Sequence, residues 1–425
     1  MFENRIVSKV KLFYRKCLTA SAAFALFFYP VRLMAYEGME SDDSEKKVGS
    51  SMGIDVRPNY AFSSYRDDLL KSQLNMDDAD KTRFASSFHL KYSFSYGPST
   101  DAGRFYPGAY QGVGVGVNGF GNKAGLGIPV SVYVFQGAPV WRLGEGLSLG
   151  YEWNFGASMG WKTCNGYDAH SNLIVGSRVN AYINLGVMMD WEITDHLSMN
   201  AGIDLTHFSN GNTSYPNPGV NLAGVRVGMK YCFGRRFRTH EYRKDTTSLK
   251  HKVSYDVMAY GELRKRVYRG GEDPVLLNGH FPVAGLNFAV MRDFNKIFRA
   301  GLSADFQWDE STNLEKYHGE GSTAEDLRFY RPPFFSQVCY GLSARAELVM
   351  PVFSVNLGIG YNFIGPVESR ASYQMANLKV YVTPGLYLNV GYQLLNFSRQ
   401  NNLMLGIGYT FNSNRSSGTT IMNAF

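Results

Sequence analysis

The stretch Leu197–Gly211 reads LSMNAGIDLTHFSNG, and it decides the fold of the chain. From Leu197 to Leu205, apolar residues alternate with polar or small ones, which is the period of a β-strand with one apolar face. His207 and Ser209 continue the apolar register, so they project from the same face. A histidine and a serine on an apolar strand face need a reason, and we interpret them as a base and its nucleophile.

The composition of the 425 residues suits a β-rich protein, because glycine and aromatic residues are abundant. The net charge of +7 forms no dense basic stripe, and we therefore expect no nucleic-acid partner. Beyond the N-terminal region three cysteines remain, Cys164, Cys232 and Cys339. An odd number without short spacing predicts neither a disulfide framework nor a zinc site. We expect no metal and no cofactor.

Residues 1–35 are predicted to be a secretory signal peptide with cleavage near Ala35. Basic residues at the start precede the apolar run CLTASAAFALFFYPVRLMA, which is the usual order in a signal peptide. An uncleaved membrane anchor is the alternative. Residues 36–53 are predicted to be a polar lead-in, and no later segment has the roughly 18 uninterrupted apolar residues of a membrane helix.

Strand-like alternation recurs eight times within residues 54–233 and about eight times within residues 251–412. Several of these strands are about 10 residues or longer, which is enough to cross a bilayer with tilt. Aromatic residues gather near strand ends, and tight turns at 144–146 and 194–196 alternate with longer connections. We predict an all-β fold of transmembrane antiparallel β-barrels, integral to the outer membrane of a Gram-negative cell.

Two architectures fit this number of strands: two tandem eight-stranded barrels, or one barrel of about 16 strands. A basic linker at 234–250 separates the two sets of strands, and a tail at 413–425 follows the second. The interior of an eight-stranded barrel is just wide enough for side chains to fill. We favour two barrels, because the predicted inward residues are large: Tyr133, Phe135 and Tyr182.

The end of the second half echoes the end of the first, since Leu386–Gln400 parallels Leu197–Gly211. We interpret residues 251–412 as a second, degenerate barrel repeat. In this echo Asn396 stands at the position of His207, while Ser398 matches Ser209. The second copy lacks a base, and we expect it to be inactive.

Strand parity predicts that His207 and Ser209 lie at the outer end of their strand, on the lipid side. The loop that follows bends back, and Asn221 returns beside them on the apolar register of the next strand. A serine hydroxyl needs a neighbouring base, and a third group normally orients the imidazole. Asn221 is our candidate for that third group, as a neutral acceptor. Candidate oxyanion donors are the backbone N–H groups of Asn210, Gly211 and Asn212 and the side chain of Asn217.

The run His207-Phe208-Ser209-Asn210, followed by Pro216–Gly219 and a hairpin strand, resembles the lipid A 3-O-deacylases, a family also described as acyloxyacyl hydrolases. The resemblance covers roughly residues 50–234, and the second half lies outside the usual length of the family. It implies an eight-stranded outer-membrane barrel whose membrane-facing Ser-His-Glu site cleaves an ester-linked acyl chain from lipid A. Ser209 then matches the nucleophile and His207 the base, whereas the family glutamate falls on Asn221.

We therefore expect a serine esterase, a carboxylic ester hydrolase that acts on lipid A or lipopolysaccharide among outer-membrane lipids. A homodimer stays open. The first alternative is a non-catalytic structural or porin-like barrel with a remnant site, motivated by Asn221 in place of an acid. A surface adhesin that uses loops such as Asp309–Arg331 is a further alternative. The simplest alternative for His207 and Ser209 is a polar pair hydrogen-bonded to lipid headgroups.

Overall fold

The strand Val220–Phe233 pairs with the strand Val48–Phe62, and this pairing closes the first half of the chain into a barrel. A second closed barrel follows, so the prediction of two eight-stranded antiparallel barrels is confirmed. The computed structural model describes residues 48–62, 84–120, 126–163, 174–214, 217–234, 236–237, 252–268, 275–277, 279–317, 328–397 and 399–413.

The N-terminal barrel has eight strands in chain order, each paired with its sequence neighbours. One short helix, α1, interrupts the connection between the second and third strands, and the side chain of Thr100 caps it. The elements are β1 (Val48–Phe62), β2 (Phe84–Tyr96), α1 (Asp101–Phe105), β3 (Tyr110–Gly119), β4 (Gly127–Gly144), β5 (Leu147–Trp161), β6 (Val179–Glu192), β7 (Leu197–Ser209) and β8 (Val220–Phe233).

Strand β1 begins at Val48, six residues before the predicted start at residue 54, and so enters the predicted lead-in. The segment Gly49–Met52 carries no apolar alternation, because small and polar residues dominate it. Its backbone nevertheless pairs on both sides, and Met52 lies opposite Tyr92 of β2 and Tyr231 of β8. The strand start therefore depends on its partners rather than on its own pattern.

The C-terminal barrel also contains eight long strands, and two small ladders, β10–β11 and β14–β15, belong to its connections. Two 3-10 helices lie at Phe334–Gln337 and Val367–Ser369. The strands are β9 (Val253–Arg264), β10 (Val267–Tyr268), β11 (Val275–Leu276), β12 (Phe281–Asp293), β13 (Phe298–Asp309), β14 (Glu315–Tyr317), β15 (Arg328–Tyr330), β16 (Val338–Val349), β17 (Phe353–Ile364), β18 (Ser372–Tyr381), β19 (Leu386–Leu395) and β20 (Arg399–Phe411).

Each barrel has a short-turn end and a long-loop end. In the N-terminal barrel the turns β4–β5 and β6–β7 take two and four residues, at 145–146 and 193–196, and lie at the short-turn end. The connections β1–β2, β3–β4, β5–β6 and β7–β8 leave from the long-loop end. Outer-membrane barrels have short periplasmic turns and longer extracellular loops, so we assign the long-loop end to the cell exterior. Among the described residues, no helix has the length and apolar character needed to cross a membrane.

Charged side chains form a connected network inside the N-terminal barrel. Arg226 donates to Glu152 at 2.7 Å and to Asp204 at 3.2 Å, and Lys91 donates to Glu152 at 2.9 Å. A cavity of about 20 Å³ beside Lys91 and Glu152 has room for roughly one water molecule. Side chains therefore fill this level of the barrel.

The interior of the C-terminal barrel follows the same design with different residues. Arg299 lies 3.1 Å from Asp256 and 2.8 Å from Glu347, and Lys379 lies 2.7 Å from Glu347. Because each buried charge has an opposite partner, the desolvation cost of the ions is offset within the network. Both barrels are therefore held by polar interiors and apolar outer faces.

The two barrels contact each other near their short-turn ends. Trp153 of β5 packs edge-to-face on Phe353 of β17, with ring centroids 5.5 Å apart. Tyr106, just after α1, donates through its hydroxyl to the backbone oxygen of Val349 at 2.7 Å. Gln136 belongs to the outward register of β4 but is only 2% exposed, and it bonds to Trp153 at 2.5 Å. An outward polar side chain is buried here because the second barrel covers it.

Several predicted segments lie outside the described residues and stay predictions. These are the signal peptide at 1–35, the first part of the lead-in, most of the linker at 234–250 and the tail beyond residue 413. The same holds for Ser398 and Cys164. Cys232 and Cys339 are described, and both are free thiols.

Candidate active site

Strand β7 separates an inward polar set from an outward set, as the alternation predicts. Asp204, Thr206 and Phe208 point inward and are buried. His207 and Ser209 occupy the outward register at the long-loop end of the strand, and both are half-buried. The strand therefore carries a base and a hydroxyl on the outer face of the barrel, two positions apart.

His207 and Asn221 form a cross-strand pair on β7 and β8. They are direct register partners, and Nδ1 of His207 lies 2.7 Å from Oδ1 of Asn221. An amide oxygen only accepts hydrogen bonds, so Nδ1 carries the hydrogen in this arrangement. Nε2 is then left with its lone pair, which is the tautomer that a general base requires.

Ser209 is the last residue of β7 and lies opposite Ala181 of β6. In the part of the chain that the structure describes, no hydrogen bond joins Ser209 to His207. Catalytic hydrogen bonds are often long in a substrate-free enzyme and tighten when the substrate binds. Ser209 and His207 thus share the outward register of β7 without a hydrogen bond between them.

A tight turn follows Ser209 directly. Gly211 and Asn212 have φ angles of 66° and 71°, and the N–H of Thr213 donates to the oxygen of Asn210 at 3.3 Å. These features define a type I′ turn, which requires positive φ at both central residues. The turn fixes the direction in which the chain leaves β7, and Ser209 is the last residue before it.

Asn210 and Asn217 are bound to each other across this loop. The N–H of Asn210 donates to the side-chain oxygen of Asn217 at 2.9 Å, and the Asn210 amide donates to the oxygen of Ser214 at the same distance. Both residues were candidates for binding an oxyanion. Since the N–H of Asn210 is used within the loop, the N–H groups of Gly211 and Asn212 are the better candidates.

Gly219 is a site residue that the sequence reasoning missed. Its φ is +77°, and a Cβ placed on it would lie 3.0 Å from Cε1 of His207 and 3.2 Å from the oxygen of Phe208. Any larger residue would therefore press on the imidazole. The available signal was the glycine that ends the run PNPG, just before β8.

The echo of this hairpin in the C-terminal barrel has a different structure. Strand β19 ends at Leu395, and Asn396 and Phe397 form a turn with φ angles of 51° and 60°. Asn396 accepts a hydrogen bond from Ser372 at 2.9 Å. Asn396 therefore does not take the position of His207 in space. Strand β7 continues through His207 to Ser209, whereas β19 ends at Leu395, one residue before Asn396.

His89, Glu152 and Asp204 have structural surroundings. His89 is buried inside the N-terminal barrel and bonds to Tyr133 and Ser87, both at 2.9 Å. Glu152 and Asp204 belong to the interior network described above. Among the described residues, no group of three or more potential metal ligands occurs.

Two protein families match the chain. Lipid A 3-O-deacylase matches residues 87–230, and the C-terminal domain of acyloxyacyl hydrolase matches residues 253–413. The second match corrects the expectation that the second half lies outside the family. Together the matches support an ester hydrolase that deacylates lipid A in the outer membrane. No curated protein matches the chain.

Solved structures similar to this chain are barrels of distant sequence. Neisserial surface protein A is 10% identical, with 44% of this chain and 100% of that chain covered, at a TM-score of 0.30. The toluene transporter TbuX of Ralstonia pickettii is 10% identical, with 87% of this chain and 90% of that chain covered, at a TM-score of 0.16. Omp33 of Acinetobacter baumannii is 9% identical, with 86% of this chain and 99% of that chain covered, at a TM-score of 0.15. TM-scores of this size support no further conclusion.

Proposed function

Because the chain belongs to the lipid A 3-O-deacylase family and is therefore an integral outer-membrane protein, we propose that Ser209 and His207 cleave an ester-linked acyl chain from lipid A. One observation carries this proposal. Nδ1 of His207 lies 2.7 Å from Oδ1 of Asn221 on the outward face of β7 and β8. Ser209 follows His207 by two residues and lies on the same face of β7. His89, by contrast, is a buried structural histidine that points into the barrel.

The proposed site faces lipid. The outward neighbours of His207 along β7, Ile203 and Leu205, are 67% and 59% exposed. Apolar side chains with this exposure suit the hydrocarbon layer around an outer-membrane barrel. The site lies at the long-loop end, so a lipid of the outer leaflet reaches Ser209 by lateral diffusion without leaving the membrane.

The proposed reaction proceeds in two steps. Ser209 Oγ attacks the ester carbonyl while Nε2 of His207 accepts its proton, and His207 then passes the proton to the departing sugar oxygen. This step leaves the acyl chain on Ser209. A water molecule, deprotonated by His207, attacks the acyl-enzyme and releases the fatty acid, and the proton returns to Ser209.

The proposed roles of the remaining residues follow from their contacts. Asn221 accepts from Nδ1 of His207 and holds the ring, although a neutral amide stabilises an imidazolium less than a carboxylate does. The N–H groups of Gly211 and Asn212 are proposed to donate to the oxyanion of the tetrahedral intermediate. Gly219 leaves the space that the His207 ring occupies.

Mass spectrometry of lipid A from cells with and without the protein tests this function. We expect the protein to remove one acyl chain, and we expect Ser209→Ala and His207→Ala to restore the full acylation pattern. Ser398→Ala is the matched control, because Ser398 is the counterpart of Ser209 in the sequence echo. An unchanged pattern in cells, together with purified protein that is inert towards lipopolysaccharide, would refute the proposal.

The runner-up function is a structural barrel with a remnant site. The neutral Asn221 favours it, because the family resemblance leads one to expect an acid at this position. The porin form of this alternative agrees less well with the barrel interior, where Arg226, Glu152 and Asp204 bond across the lumen. Loss of esterase activity in Ser209→Ala would favour the esterase over the structural barrel.

A further inference from the structure

The closure of the C-terminal barrel is incomplete at its long-loop end. Strands β9 and β20 pair from Tyr255 and Phe411 to Gly261 and Leu405, which is seven register pairs. Both strands continue beyond that point, to Arg264 in β9 and from Arg399 in β20. The closing pair of the N-terminal barrel, β1 and β8, has eleven register pairs. We call the region of β9 and β20 beyond their last register pair the split seam; it comprises residues 262–265 and 399–404.

Side chains of the C-terminal barrel bridge part of the split seam. The N–H of Leu403 donates to the carboxylate of Glu262 at 2.7 Å. Nη1 of Arg264 donates to the backbone oxygen of Asn401 at 2.7 Å. Backbone groups that a complete ladder would pair are therefore bound by side chains from the opposite strand.

The turn Asn210–Thr213, which follows Ser209 in the N-terminal barrel, also bonds to backbone groups of the split seam. The side-chain amide of Asn212 donates to the same oxygen of Asn401 at 3.2 Å. The N–H of Lys265 donates to the backbone oxygen of Thr213 at 2.9 Å. One turn of the first barrel is thus bonded to both sides of the split seam in the second barrel.

Packing adds to these hydrogen bonds. A Cβ placed on Gly211 would lie 3.2 to 3.6 Å from three side-chain atoms of Leu403 in β20. Leu403 points outward from its barrel, in register with the exposed Leu405. The turn therefore lies flat against the second barrel, and a glycine at position 211 suits both this close approach and a φ of +66°.

We propose that the split seam of the C-terminal barrel holds this turn in place and thereby sets the position of Ser209. Asn212 and Leu403 are the positioning residues, and neither takes part in the chemistry through its side chain. The inference rests on the proposed function, since it assigns the second barrel a role in the same site. A displacement of about 1 Å in a reacting group is enough to lower a rate about a hundredfold. The contacts with the split seam begin two residues after the nucleophile, at Gly211, so their loss should lower the rate strongly.

Kinetics of Asn212→Gly in the full chain test the proposal. Glycine keeps the positive φ but removes the bond to Asn401, and one hydrogen bond corresponds to about a threefold to tenfold fall in kcat. The KM for lipid A stays unchanged. A short-chain p-nitrophenyl ester loses activity by the same factor, because it needs an aligned Ser209 but no lipid-binding surface.

The chain offers a matched control in Asn313→Gly. Asn313 also has a positive φ, of 57°, and its amide donates to a backbone oxygen, that of Ser336, at 2.8 Å. It lies in the β13–β16 connection and bonds to Ser336 rather than to the turn, so its replacement leaves kcat unchanged. Leu403→Ala lowers kcat in the same way as Asn212→Gly, whereas the neighbouring outward variant Leu405→Ala does not.

Two results would overturn the proposal. One is an unchanged kcat in both Asn212→Gly and Leu403→Ala. The other is a raised KM for lipid A with normal cleavage of the short ester, which would make the seam a lipid-binding surface.

Amide hydrogen exchange separates failure of the clamp from failure of the proposed function. We expect faster exchange at Asn210–Thr213 in Asn212→Gly but not in Ser209→Ala. If the wild-type protein is inert towards lipid A and the short ester, this change in exchange still shows that the seam holds the turn. An unchanged exchange rate in Asn212→Gly counts against the clamp whether or not the enzyme is active.

Discussion

His207 and Asn221 lie directly opposite each other on adjacent strands, with Nδ1 and Oδ1 2.7 Å apart. The pair has the geometry in which a carboxylate would orient the base of a serine hydrolase, but it carries an amide. The amide still selects the tautomer with a hydrogen on Nδ1. In the proposed reaction, it brings no negative charge to the imidazolium that would form when Ser209 loses its proton.

Replacing the amide by an acid should therefore raise activity. We expect Asn221→Glu to increase kcat on the order of tenfold, because a carboxylate stabilises the imidazolium electrostatically. Asn221→Gln has the same length without the charge and is the control, and the measurement is the rate of fatty-acid release. Equal rates for the two folded variants would mean that His207 does not become charged during the reaction.

A methyl group at Gly219 should disturb the base. In Gly219→Ala the added Cβ would lie 3.0 Å from Cε1 of His207, so the ring must give by a few tenths of an ångström. We expect kcat to fall about tenfold or more. Gly279→Ala is the control, since Gly279 has a φ of +100° but no atom within 4 Å of its added Cβ. If both variants lose the same activity, the loss comes from backbone strain and not from the contact.

The interior network should contribute strongly to stability at its centre and weakly at its edge. Arg226 and its partner Glu152 are each 1% exposed, and we expect Arg226→Ala to lower the free energy of unfolding by about 3–5 kcal/mol. Lys230 and Asp190 are 24% and 23% exposed, and Lys230→Ala should cost about 1 kcal/mol or less. Urea unfolding in lipid vesicles measures both values. The reverse order would show that the inner charges are not paired in the membrane.

The filled lumen predicts low conductance. Arg57, Lys91 and Arg226 join Asp55, Glu152 and Asp204 across the N-terminal barrel, and we expect no porin-sized single-channel current in planar bilayers. A general porin measured in the same bilayers is the control. Stable currents of porin size from the purified protein would instead favour the transport alternative.

The alternation of residues predicted much of the fold and of the site. The pattern in Leu197–Ser209 identified the strand and its outward face, because a one-residue shift would send Asp204 and Thr206 into lipid. The same parity predicted that Asn221 returns beside His207, and the register pairing confirms this. The choice between one barrel and two depended on the contact of β1 with β8, which local patterns do not encode.

What the alternation could not predict is how the segments outside the strand cores meet. Asn396 aligned with His207 in sequence, yet β19 ends at Leu395 and the asparagine lies in a turn. Gly219 approaches the site from the β7–β8 loop and Leu403 from β20, so their distances to it depend on the folded barrels. The single-sequence pattern identifies strands and faces, whereas close approaches between distant segments need the structure.

The short pairing between β9 and β20 also has a consequence for biogenesis. Protein synthesis starts at the N-terminus, so the residues of the turn, Asn210–Thr213, are made before those of β20. That turn is then ready to receive Lys265 and Asn401 when the last strand arrives. A C-terminal barrel produced alone would expose the part of the split seam that the turn covers, and exposed strand edges are sites for association with other chains. We therefore expect the isolated second half to aggregate, while the chain that carries both halves matures as one unit.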